Sequence, residues 1–110
     1  MKIKEITDID FDEEVLDYPG IVVAKFYGNW CGPCKMVANI LEDIADDEFI
    51  GLKLVEIDVD KCMTLAKQFG VMSVPTFVVF KDGAELDKVV GFRNRNQLTE
   101  LFNKYLESGK

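Results

Sequence analysis

Histidine is missing from this 110-residue chain altogether, and cysteine, proline and tryptophan are sparse at three, three and one. Three cysteines are too few, and odd in number, for the disulfide framework of a secreted scaffold. A reducing cytosol is therefore the expected compartment. Positive charge is outnumbered: 13 Lys and Arg face 20 Asp and Glu, for a net charge of −7. That balance argues for solubility and against nucleic acid or an anionic membrane as a partner. No apolar run is long enough to span a bilayer. Met1 to Asp10 alternates apolar with charged residues where a signal peptide would carry an apolar core. No repeat, linker or low-complexity segment divides the chain. What remains is apolar, 48% of the residues, with 11% aromatic, which excludes disorder. Residues 1–110 suit one domain, and folding at this size buries roughly two-thirds of the unfolded surface, enough for a core without staples.

The scarce residues are concentrated in one place. Trp30-Cys31-Gly32-Pro33-Cys34-Lys35 holds the only tryptophan, two of the cysteines and one of the prolines. An apolar run, Ile21 to Tyr27, leads in, and a helical pattern of Met36, Val37, Ile40, Leu41 and Ile44 leads out. The motif thus sits where a strand ends and a helix begins. Unpaired N–H groups and a partial positive charge at that end favour a thiolate over a thiol. Pro33 suits the first turn, where its missing N–H would have no partner. The chemistry indicated is a dithiol that cycles to a disulfide. A zinc half-site is the alternative, but zinc needs four ligands, and only Cys62 and carboxylates remain to supply them.

Along the chain, Met1 to Ile6 reads as a short edge strand and Asp10 to Leu16 as a helix with acidic residues early. Tyr18-Pro19-Gly20 breaks it. Ile21 to Tyr27 reads as a central strand covered on both faces. A helix is expected over Pro33 to about Asp47, a buried strand over Leu52 to Val59, and a short helix over Lys61 to Phe69 capped by Gly70. Thr76 to Lys81 and Glu85 to Val90 flank Asp82-Gly83, a hairpin signal. Asn94 and Gln97 resemble a capping box, and Leu98, Leu101, Phe102, Tyr105 and Leu106 mark a last amphipathic helix. The order βαβαβαββα implies an α/β fold: a mixed sheet, parallel at its core with an antiparallel C-terminal hairpin, and helices on both faces.

Trp30 to Lys35, Val74-Pro75-Thr76 and Val90-Gly91, in this order and at these intervals, resemble the thioredoxin family, and the resemblance runs from Ile21 to Leu106. A bare CxxC is weak; the full WCGPCK string with a downstream Val-Pro-Thr is strong. The resemblance implies the thioredoxin fold and a protein-disulfide reductase that serves cell redox homeostasis. Cys31 would attack a substrate disulfide and Cys34, one turn deeper, would resolve the mixed disulfide. Trp30, Gly32 and Pro33 would form a flat surface beside the attacking sulfur. Trp30 could instead be a core aromatic, but its place on a tight turn favours the surface. Pro75 would be a cis-proline, and Val74 would offer its backbone to an extended substrate segment. Gly91 and Phe92 would complete the docking patch. No bound cofactor is implied. Electrons would come from a thioredoxin reductase, NADPH-linked or, as the alternative, ferredoxin-linked. Substrates would include ribonucleotide reductase, peroxiredoxin and methionine sulfoxide reductase, with the chain a cytoplasmic monomer. A redox-independent binding module, or an oxidase or isomerase, is the rival reading. The intact Cys-Gly-Pro-Cys argues against the first, and Gly-Pro resembles the reducing members rather than the oxidising ones.

Lys25 and Glu56 interrupt apolar strands that read as central. An isolated buried charge costs several kcal/mol, so the two are expected to pair across adjacent strands. The thioredoxin family usually has an aspartate at the first position and a lysine at the second, so the signs are exchanged here. In the family that aspartate assists proton transfer at the resolving cysteine. Either Glu56, held by Lys25, takes that part for Cys34, or Lys25 acts through its charge or as a neutral amine, or the pair serves packing alone. Asn39 stands where the family usually has a helix-kinking proline, so a straighter helix is expected. Cys62 opens a short helix and is either activated there or a small half-buried filler, the blander and favoured reading. Met72 either covers the substrate patch or fills core. The acidic runs Asp10 to Asp17 and Asp43 to Glu48 read as solvated helix faces.

Overall fold

The strand that reads as the most apolar stretch is the one at the centre of the sheet. The structure is a computed structural model describing residues 1–108. Its order is β1 (Lys4–Glu5), a π-helical turn (Asp12–Leu16), β2 (Ile21–Tyr27), α1 (Gly32–Asp43), β3 (Leu52–Asp58), α2 (Met63–Gln68), β4 (Thr76–Lys81), β5 (Ala84–Val90) and α3 (Arg95–Ser108). The five strands lie in the order β1-β3-β2-β4-β5. β1, β3 and β2 are mutually parallel, β4 is antiparallel to β2, and β5 is antiparallel to β4. Six of the seven β2 residues are buried, because helices cover both faces. Alternation along β2 sends Val22, Ala24 and Phe26 to the face packed by the π-helical turn and α2. Ile21 and Val23 go to the face packed by α1 and α3. Lys25 shares that second face, and so does Glu56, its register partner on β3.

Local chemistry explains the turns. Asp82 (φ 49°) and Gly83 (φ 84°) are both left-handed, the backbone that the two-residue β4–β5 turn requires. Asn94 and Gln97 form a reciprocal capping box, each backbone N–H donating to the other's side-chain oxygen at 2.9 Å. Gly70 (φ 65°) follows α2, and its N–H donates to Lys67 O at 3.1 Å.

Several expected boundaries move. The segment before Pro19 winds as a π-turn, closed by the Asp17 N–H on Asp12 O at 2.8 Å. α1 stops at Asp43 instead of about Asp47, since Ile44 is extended. Asp43, Asp46, Asp47 and Glu48 crowd that end, where the helix dipole disfavours carboxylates. α1 runs uninterrupted through Asn39. The acidic run before Asp17 is not wholly solvated either: Glu14 pairs with Lys4 at 2.7 Å and Lys53 at 3.4 Å.

Candidate active site

The residues after β2 build the site by tying one turn to three neighbours. Cys31 N–H donates to Gly28 O at 3.1 Å, closing the turn. The Trp30 indole lies over Gly28 so closely that a Cβ there would meet the ring at 2.6 Å. Trp30 Nε1 donates to Asp60 Oδ2 at 2.8 Å, and Asn29 Nδ2 donates to Asp58 Oδ2 at 3.1 Å. Asp58 is buried, and its other oxygen accepts the Asp60 N–H at 2.9 Å. The turn is therefore pinned to the end of β3. Trp30 remains 68% exposed, a surface residue and not a core one.

Cys31 is the N-cap of α1, with Pro33 in the first turn. Cys31 and Cys34 are joined as a disulfide, their Cα atoms 5.2 Å apart. Cys31 Sγ accepts the Cys34 N–H at 3.1 Å. That is an otherwise orphaned helix donor aimed at sulfur, and it favours a thiolate once the bond is reduced. Accessibility does not rank the two sulfurs, since Cys31 is 4% and Cys34 3% exposed. Their neighbours differ instead. Cys31 Sγ lies 3.7 Å from the carbonyl oxygen of Val74. Cys34 lines an inner hollow of about 260 Å³ together with Lys25, Tyr27, Ala38 and Glu56.

The Val74–Pro75 peptide is cis, and Pro75 is buried. Gly91 N–H donates to Pro75 O at 2.8 Å, with Gly91 at φ 98°. That bond brings the third sequence-marked loop against the second. Gly32 and Pro33 are exposed, and Phe92 is partly so. Met72 points outward, at 96% exposure, and fills no core.

In the inner hollow, Lys25 Nζ lies 3.2 Å from Glu56 Oε2. Lys25 is buried as expected, but Glu56 retains 25% exposure and is not. β3 has only the two-residue β1 beyond it, which leaves the Glu56 carboxylate reachable by water. Tyr27, which the sequence reading did not single out, also lines the hollow. Its hydroxyl donates to Glu5 Oε2 at 2.8 Å. Burial first, then that bond and the charges of Glu5, Glu56 and Asp58, push the phenol above its usual range. Its two-residue spacing from Lys25 was the available signal, since both lie on one face of β2. Cys62 is fully buried, not half-buried. Burial raises its thiol above the ordinary value, so the helix start does not activate it.

Among the described residues, no helix is long and apolar enough to cross a membrane, and no three His, Cys, Asp or Glu side chains cluster as a metal site. A disulfide that caps a helix beside a cis-prolyl loop, on a mixed sheet with helices on both faces, defines a thiol–disulfide exchange centre. The thioredoxin family profile matches residues 2–104. The thioredoxin of Listeria monocytogenes is 42% identical over 104 residues, covering 94% of this chain and 99% of its own length. That of Staphylococcus haemolyticus is 43% identical over 106 residues, covering 96% and 100%. The chain belongs to the thioredoxin family. It is a thiol–disulfide oxidoreductase, a protein-disulfide reductase that needs no bound cofactor, and Cys31 and Cys34 are its redox-active pair.

Proposed function

We propose that Cys31 is the attacking sulfur and Cys34 the resolving one. The Cys31 thiolate attacks a substrate disulfide, forming a mixed disulfide and releasing one substrate thiolate. Cys34, deprotonated, then attacks Cys31 Sγ, releasing the second substrate thiol and closing the 31–34 disulfide. Two electrons pass from the dithiol to the substrate. The observation that carries this order is the setting of the two sulfurs: Cys31 caps the helix beside Val74 O, whereas Cys34 faces the inner hollow. Trp30, Gly32, Pro33, Val74, Pro75, Gly91 and Phe92 form the docking patch, on which an extended substrate segment lies against the Val74 backbone. Glu56, held by Lys25, accepts the Cys34 proton through water in the hollow.

Residues 1–110 act as one domain, a cytoplasmic monomer. An NADPH-linked thioredoxin reductase restores the dithiol, and ribonucleotide reductase, peroxiredoxin and methionine sulfoxide reductase are among its substrates. Insulin reduction with dithiothreitol as electron donor tests the sulfur assignment. Cys31→Ser abolishes turnover, and Cys34→Ser accumulates a mixed disulfide through Cys31. Turnover that survives Cys31→Ser refutes the assignment. NADPH consumption with a purified thioredoxin reductase tests the electron source.

A further inference from the structure

Met72 is more exposed than any other large apolar side chain, at 96%. It stands two residues before the cis peptide. With Trp30, Val59, Val71, Ser73 and Val74 it lines a hollow of about 110 Å³. Val74, one of these lining residues, has its carbonyl oxygen 3.7 Å from Cys31 Sγ. A thioether is thus held in water at the rim of the attacking sulfur's surroundings. We propose that Met72 is a modification site, oxidised by peroxide to the sulfoxide, and that the sulfoxide weakens docking of protein disulfides while leaving the dithiol chemistry intact. The inference rests on the docking patch proposed above.

The chemistry is an oxygen-atom transfer. Peroxide gives one oxygen to the Met72 sulfur and leaves as water; the sulfur loses two electrons and the peroxide gains two. In the disulfide state Cys31 and Cys34 present no thiol, and Cys62 is buried, so the exposed methionines are the sulfur groups open to attack. The consequence follows from desolvation. A methionine covered by a partner gains from leaving water, and its thioether adapts to irregular surfaces. A sulfoxide oxygen loses water when covered and needs a donor. The indole N–H at the hollow is engaged by Asp60 and is not free to serve it.

The test treats the disulfide form with hydrogen peroxide, removes the excess with catalase, and maps sulfoxides by mass spectrometry. Reduction of insulin is then compared with that of a small aromatic disulfide, with dithiothreitol as donor. The oxidised protein is expected to show KM for insulin raised roughly tenfold, with the small-disulfide rate unchanged. Oxidised Met72→Leu keeps its KM, and a methionine sulfoxide reductase restores the oxidised wild type. Met63, 70% exposed on α2, and Met36, 55% exposed on α1, provide the controls. Protection by Met63→Leu or Met36→Leu in place of Met72→Leu overturns the proposal, as does an unchanged KM after Met72 oxidation. Unoxidised Trp30→Ala reports on the patch itself: an unchanged KM there refutes the docking reading separately.

Discussion

Lys25 holds Glu56 at 3.2 Å across the β2–β3 ladder, yet only the lysine is fully withdrawn from water. Removing either partner therefore has unequal consequences. Glu56→Gln leaves a buried ammonium without its counter-charge and is expected to lower stability by about 3 kcal/mol. Lys25→Met leaves a carboxylate that water reaches, and about 1 kcal/mol is expected. Urea denaturation of the two variants measures the difference. Equal losses would show that exposure of Glu56 does not set the energetics. The same variants test proton transfer: stopped-flow rates of the resolving step across pH change with Glu56→Gln if the carboxylate takes the Cys34 proton, and stay unchanged if the pair only packs.

Gly28→Ala places a Cβ 2.6 Å from the Trp30 ring, which must then leave Asp60. The indole is exposed and able to move, so stability should fall by no more than about 1 kcal/mol. KM for a protein disulfide should rise several-fold. Trp30 is the only tryptophan, so its emission reports the displacement directly. Unchanged emission together with unchanged KM would show that the indole's position against Asp60 plays no part in docking.

Gly83→Ala and Gly20→Ala separate backbone strain from steric clash. Both glycines have positive φ, 84° and 107°. A Cβ at Gly83 would collide with the Leu16 carbonyl oxygen, whereas none of the surrounding atoms lies within 4 Å at Gly20. Gly20→Ala is expected to cost about 1 kcal/mol and Gly83→Ala roughly 3 kcal/mol. Thermal unfolding of each gives the comparison, and a reversed ranking would contradict the hairpin-to-turn contact.

Stability should fall at both ends of the pH range, through different groups. Burial first, and then the bond to Asp87, raise the Tyr105 phenol above its ordinary 10.0. A folded-state value above the unfolded one contributes stability that is full below pH 10 and lost as pH rises through the folded value. Tyr27 and Cys62 act in the same direction. Tyr105→Phe should therefore flatten the alkaline limb of a stability–pH curve. At the acid end, hydrogen bonding to Lys4 holds Glu14 below its ordinary 4.5. Its contribution is present above that value and fades as pH falls, so Glu14→Gln should flatten the acid limb. Limbs that keep their slopes in these variants would assign the pH dependence to other groups.

The local devices were legible because each is written in adjacent residues. Asp82-Gly83 specifies a left-handed turn, Asn94 and Gln97 a cap, and Cys31 to Cys34 a sulfur pair at a helix start. The Lys25–Glu56 contact was also legible, since two charges in neighbouring buried strands have few other partners. The Trp30–Asp60 and Gly91–Pro75 bonds were not, because each joins loops brought together only by the sheet. The end of α1 is not legible in the apolar spacing, which runs on to Ile44, because the carboxylates beyond it oppose the helix dipole.

The fold class, the redox pair and the signs of the charges beneath it are written in the order of the residues. Periodicity, turn chemistry and the Cys-Gly-Pro-Cys string are local properties that hold before any folding. The tertiary structure alone decided which sulfur faces the Val74 carbonyl and which faces the hollow. It also decided that water reaches Glu56 and not Lys25, and that Cys62 is sealed while Met72 stands free. Burial and distance between remote segments depend on how the strands are ordered in space. That order sets the desolvation each group undergoes, and desolvation sets its reactivity.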